Sequence, residues 1–254
     1  MRRRRVLVAL VVMVTGIGGV RESSASADVS GTITVSAAAS LRASFIQIGR
    51  AFQKKHPQAR VRFNFGSSSA LVGQLEAGAP ADVVALADRA TMDRLVAKKL
   101  LASTPQIFAR NSMAVAVKPG NPMKVSGVAD LSRVGVVAMC IRTAPCGMYA
   151  QSVLTHAGVT IPESSVTRGV DASSTLSQVV SGDAQAAIVY ATDVREAGKT
   201  VLLVTIPQSV NVVADYPIAV VKGSRRSATA KAFVEFVLSS SGRSVLVGKG
   251  FMRP

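Results

Sequence analysis

From Gly31 onward, short runs rich in Val, Ile, Thr and Ala alternate with segments of helical periodicity, and this alternation limits the chain to an α/β architecture with largely parallel strands. Strands are expected at Thr32 to Ser36, Val61 to Phe65, Val83 to Ala87, Met113 to Val117, Val134 to Met139, Ala186 to Tyr190, Val201 to Thr205 and Val213 to Val221. Helices are expected at Leu41 to His56, Ser69 to Ala77, Ala90 to Lys98, Gly147 to His156, Ser173 to Ser181, Thr192 to Ala197 and Ala228 to Leu238. No linker rich in Pro, Gly or Ser divides the chain, and no repeat of fixed period occurs. Two segments, near Ala109 to Val117 and Val213 to Val221, have the placement of passages between two lobes.

Ahead of this region, Arg2 to Arg5 precede an apolar run from Val6 to Val20 and the small-residue exit Ala25-Ser26-Ala27. That is the pattern of a secretory signal peptide spanning residues 1 to 27. The apolar run is shorter than the roughly 20 residues that cross a bilayer, so the mature protein is expected not to span the membrane and to act in the periplasm or cell envelope. The leader's five Arg and one Glu carry +4 of the formal +16, leaving +12 on the remainder. A basic chain suits anionic surroundings, but export and 4% aromatic content argue against a nucleic-acid partner.

The two cysteines, Cys140 and Cys146, stand close together, and in an oxidising compartment they read first as a disulfide, with free buried thiols as the alternative. A metal site lacks ligands, because only His56 and His156 are available and no second Cys pair exists.

The chemistry is expected at the strand-to-helix turns, since ligands of open parallel sheets bind at the C-terminal strand edge. Ala37-Ala38-Ala39-Ser40 and Gly66-Ser67-Ser68-Ser69 each place hydroxyls at a helix start; Ala144-Pro145-Cys146-Gly147 and Val170-Asp171-Ala172-Ser173-Ser174 open two further helices. Ordinary N-capping accounts for such residues in any α/β protein. Four helix starts facing one cleft, however, suit a dianion without protons, because neutral N-H and O-H donors replace its hydration shell without a formal counter-ion.

The blocks Ala37-Ala38-Ala39-Ser40-Leu41, Phe65-Gly66-Ser67-Ser68-Ser69, Glu76 to Val83, Pro145-Cys146-Gly147-Met148-Tyr149, Ala187 to Asp193 and Tyr216 to Val221 together resemble the ModA family, the molybdate-binding components of ABC importers. The resemblance runs from about Thr32 to Phe251. It implies a two-lobe, type II periplasmic-binding-protein-like fold with two crossover strands. The corresponding lobes are residues 28–113 with 217–254, and 114–216. It also implies a monomeric receptor, not an enzyme and without cofactor, that hands molybdate or tungstate to an importer permease. By motif position Ser40 and Ser68 donate from hydroxyl and backbone, Cys146 and Ala172 from main-chain N-H groups, and Tyr190 from its phenol. Molybdenum would enter only as the centre of the oxyanion, with no direct protein ligand. The loop departs from the commoner family pattern, which has Ala where Cys146 stands and lacks the Cys140 partner; Arg142 in the same loop is either an added cation or a solvated one.

Sulfate on the same scaffold is the near alternative. A secreted serine hydrolase is a remote one, with Gly66-Ser67-Ser68-Ser69-Ala70 as an approximate nucleophile elbow and His156 and Asp130 as partners. An envelope-binding module would account for the basic surface but not for the serine-bearing helix starts.

Overall fold

Branching at Cβ favours extended backbone, and the runs of Val, Ile and Thr form nine strands. These are β1 (Gly31–Ala38), β2 (Ala59–Gly66), β3 (Val83–Ala85), β4 (Gln106–Val117), β5 (Val137–Cys140), β6 (Val166–Gly169), β7 (Ala186–Tyr190), β8 (Leu202–Thr205) and β9 (Val213–Val220). Between them lie helices α1 (Arg42–Lys55), α2 (Ser68–Glu76), α3 (Arg89–Ala97), α4 (Pro145–His156), α5 (Ala172–Ser181), α6 (Ala191–Ala197), α7 (Ser227–Leu238) and α8 (Ser240–Gly248). The computed structural model describes residues 28–254, so the expected signal peptide lies outside the described residues.

The strands hydrogen-bond in the order β2-β1-β3-β9-β4-β7-β5-β6, with β8 beside β4. Two parallel trios, β2-β1-β3 and β7-β5-β6, flank the central pair β9-β4. β9 runs antiparallel to both β3 and β4. β4 is the longest strand and changes partner along its length: Gln106 to Ser112 pair with β9, whereas Met113 to Val117 pair with β7 and β8. The passages expected near Ala109 to Val117 and Val213 to Val221 are thus the two strands that join the trios in one mixed α/β sheet.

Each trio is closed by helices whose apolar faces fill the space above it. Against β1, Phe45 and Phe52 of α1 meet Phe233 of α7 with ring centroids 6.2 and 5.3 Å apart, and Phe45 also meets Phe108 of β4 at 5.7 Å. All four rings are essentially out of solvent. Such rings bury large apolar area and fix the angle at which α1 leaves β1.

Three elements differ from the expectation. The strand expected from Val134 starts at Val137, because Val128–Arg133 wind into a 3-10 turn and Gly135 adopts a positive φ of 85° that breaks the extended run. β6 was not anticipated: its residues Val-Thr-Arg-Gly are mostly half-exposed on a sheet edge and show no alternation. α8 was not anticipated either, since Ser239-Ser240-Ser241-Gly242 reads as a loop; in the fold Ser239 caps the helix, accepting from Gly242 N at 3.3 Å.

Candidate functional site

In a parallel trio every strand points its C-terminal end the same way, and here both trios point theirs at the seam between them. A small cavity forms there. Its wall is made of Ala38, Ala39 and Ser40 after β1, Gly66, Ser67 and Ser68 after β2, Ala87 after β3, Pro145 and Cys146 after β5, Asp171 and Ala172 after β6, and Tyr190 at the end of β7. All five residues picked out by motif position, Ser40, Ser68, Cys146, Ala172 and Tyr190, therefore stand on one cavity. A wider crevice of about 400 Å³ adjoins it between α1, α5 and α6 and shares Ala39 and Ser40; the strand ends converge on the smaller space.

The helix starts supply main-chain donors. Ser68 and Ala172 are the first residues of α2 and α5, and Cys146 is the second of α4, behind Pro145 at its first position. N-H groups in a helix's first turn have no intrahelical acceptor and sit at the positive end of its dipole. Gly147 permits the tight approach of α4 to the preceding loop, because a Cβ there would collide with the Ile141 carbonyl oxygen.

The side-chain hydroxyls of Ser68 and Ser40 are held by hydrogen bonds to residues distant in sequence. Ser68 is 1% exposed, and its Oγ accepts from Ala87 N-H at 2.9 Å. Asn111 Oδ1 accepts from Ser112 N-H at 3.0 Å, which orients its Nδ2 to donate to Thr192 Oγ1 at 2.8 Å and Tyr216 Oη at 3.3 Å. Tyr216 Oη accepts from Asn111 and shares a hydrogen bond of 2.9 Å with Ser40 Oγ, in which either hydroxyl can donate. Tyr190 Oη is buried without a hydrogen-bond partner. Burial, then the neighbouring Tyr216, pushes the Tyr190 phenol well above its ordinary range; burial, then Asp193, does the same for Tyr216. Both phenols therefore stay protonated and remain donors.

No Lys or Arg is among the cavity residues. The acidic residue there, Asp171, is committed as the cap of α5, its Oδ1 accepting from Ser174 N-H at 2.8 Å. Arg142 points elsewhere: it donates to Glu163 Oε2 at 2.8 Å with a side chain 65% exposed. Cys140 and Cys146 form a disulfide. The hydrolase constellation is not assembled, since His156 closes α4 at the end remote from Cys146, roughly 15 Å along the axis at 1.5 Å per residue. Asp130 is engaged with Ser126 and Arg133. Among the described residues no group of three or more His, Cys, Asp or Glu is placed to hold a metal ion, and no helix is long and apolar enough to cross a membrane. Sequence reasoning left Asn111 and Ala87 out of the site; neither carries a local signal, because each acts through a contact far along the chain.

Residues 33–252 match the model of the bacterial extracellular solute-binding protein family. The chain belongs to that family. This solute-binding protein is of the ModA type: it is 38% identical over 224 residues to the molybdate-binding protein ModA of Mycobacterium tuberculosis, covering 88% of this chain and 85% of that one. It superposes on the periplasmic molybdate-binding protein of Azotobacter vinelandii with a TM-score of 0.80 at 19% identity, covering 87% of this chain and 99% of that one. The sulfate-binding protein SubI of Mycobacterium tuberculosis gives a TM-score of 0.77 at 21% identity over 87% and 86% of the two chains. At these identities the two structures speak to the fold alone.

Proposed function

We propose that this solute-binding protein captures molybdate, or its near-isosteric relative tungstate, outside the cytoplasmic membrane and presents it to the permease of an ABC importer. The observation that carries the reading is the convergence of helix starts and hydroxyls on one cavity that no Lys or Arg lines. Ser68 Oγ accepts from Ala87 N-H, Ser40 Oγ is paired with Tyr216 Oη, and Tyr190 Oη is buried with no partner at all. A neutral or protonated ligand would need acceptors, whereas a fully deprotonated tetrahedral dianion needs only donors. In this reading Ser40, Ser68 and Tyr190 donate from side chains, and Cys146 and Ala172 from main-chain N-H groups, with no protein atom bonded to the metal centre. The 38% identity to a protein named for molybdate favours that anion.

The two lobes are residues 28–113 with 217–254, and residues 114–216. An anion touching both stabilises the closed form, which a permease then distinguishes from the open one. The protein acts as a monomer and by binding, not turnover. Sulfate is the second reading, since it carries the same charge without a proton and a sulfate-binding protein shares the fold; discrimination between the two then rests on cavity size.

Calorimetric titration with molybdate, tungstate, sulfate and phosphate at fixed ionic strength tests the assignment. One-to-one, submicromolar binding confined to molybdate and tungstate is the expected result. Preference for sulfate would replace the ligand, and silence toward all four would remove the receptor reading altogether.

A further inference from the structure

The disulfide stands inside the machinery of the site. Cys140 is the last residue of β5 and Cys146 the second of α4, so the bridge clamps the strand end to the helix start that offers its N-H to the cavity. Between them the loop turns outward, with Arg142 and Thr143 exposed. Two main-chain bonds hold it, Ile141 N-H to Gly169 O at 2.8 Å and Ala144 N-H to Ile141 O at 3.0 Å. The sulfurs also touch the second helix start of this wall. Thr175 of α5, whose hydroxyl donates to Asp171 O at 2.7 Å, packs on Cys140 Sγ at 3.3 Å. A single bridge thus braces both Cys146 and Ala172, the two main-chain donors of the second lobe. Cys140 and Cys146 are 0% and 3% exposed, so the bridge is buried at the cavity wall.

We propose that the Cys140–Cys146 disulfide is the positioning element of the oxyanion site: it holds the Cys146 N-H in donor geometry, so that anion affinity is coupled to the redox state of this pair. The proposal rests on the oxyanion reading given above. A preorganised donor costs nothing to order when the ligand arrives, whereas a free loop must be ordered at that moment. The loop-closure entropy of so small a ring bounds the effect at on the order of fifty-fold, so a loss of roughly tenfold in affinity is expected on reduction. Coupling is reciprocal, so bound anion in turn protects the bridge.

The oxidised protein is titrated with molybdate first. A second sample is reduced with tris(2-carboxyethyl)phosphine and desalted without oxygen. In that reaction water gives its oxygen to phosphorus, forming the phosphine oxide; two electrons break the S–S bond, and the two protons complete the thiols. The third sample is the Cys140→Ala, Cys146→Ala double variant, which keeps the main-chain N-H of position 146. Circular dichroism establishes that each sample is folded at the titration temperature. The expected result is a Kd about tenfold higher in both reduced and double-variant protein. If both are folded and bind as tightly as the oxidised chain, even with a lower Tm, the bridge serves stability alone and the proposal is overturned. Should the variant not fold, the native chain decides: saturating tungstate, but not sulfate, should raise about tenfold the ratio of reduced to oxidised dithiothreitol at which half of the chains are reduced, read at equilibrium by alkylation and mass, and an unchanged midpoint overturns the proposal. An oxidised chain that binds neither molybdate nor tungstate fails the oxyanion reading at the first titration, and the positioning role falls with it.

Discussion

Ser40 Oγ lies 2.9 Å from Tyr216 Oη, joining the turn after β1 to the crossover strand β9 across 176 residues of sequence. Asn111 Nδ2 also donates to that phenol, so the three side chains form one hydrogen-bonded chain that ends at Ser40. Tyr216→Phe breaks the chain in the middle. It leaves the buried Asn111 with one fewer acceptor and Ser40 Oγ free to turn. A stability loss of about 1 kcal/mol and a Kd for molybdate about tenfold higher are expected, measured by urea denaturation and calorimetry. Unchanged affinity with lowered stability would make Tyr216 a core residue only.

Tyr190 offers the opposite separation. Its hydroxyl has no partner in the protein, so Tyr190→Phe removes no internal hydrogen bond and relieves a buried polar atom. Stability without anion should be unchanged or higher by up to about 1 kcal/mol. Affinity for the dianion should fall by about 1.5 to 3 kcal/mol, the range for a hydrogen bond to a charged group. A variant that binds as well as the native chain would take Tyr190 off the site.

Ser68→Ala is expected to harm both properties. It strips a donor from the cavity and also strands Ala87 N-H, which now has Ser68 Oγ as its acceptor. Each loss is about 1 to 3 kcal/mol. Thermal unfolding with and without molybdate reads the two contributions apart, since the ligand-dependent rise in Tm shrinks only if binding itself is weakened.

Asp193 sets a pH dependence. The residue keeps some surface, but its Oδ2 is shielded from water and unpartnered, and burial followed by the charge of Asp171 raises its pKa from 3.8 to about 7. The folded state therefore holds this proton where the unfolded chain has released it. Its contribution is fully present below about pH 4, is lost as pH rises toward 7, and is flat above. The shift corresponds to at most about 4 kcal/mol, and partial exposure reduces it to on the order of 1 to 2 kcal/mol. Asp193→Asn stays neutral throughout, so its stability relative to the native chain should improve by that amount between pH 4.5 and pH 8. A difference that does not vary with pH would show that Asp193 does not titrate in this window.

Much of this architecture was legible before the coordinates. Among the described residues, the alternation of β-branched runs with helical periods places seven of the eight helices and seven of the nine strands within a few residues of their observed positions, and finds the C-terminal part of β4, which begins at Gln106 where Met113 was expected. Those elements are governed by local preferences, such as stiffness at Cβ and Ser or Asp before a helix, which each segment carries in its own residues. β6 and α8 escaped because their signals are supplied by neighbours: an edge strand made by pairing with β5, and a Ser-Gly run made helical by packing on α7.

The same division holds at the site. Sequence by itself determined which residue types stand at the strand ends, because the turn after each parallel strand needs small and hydroxyl-bearing residues to start the next helix. Only the tertiary structure decided that six such ends meet in one cavity. It alone set the partner of each hydroxyl: Ala87 faces Ser68 across 19 residues, and Tyr216 faces Ser40 across 176. Those partners are contacts between segments that no local pattern relates.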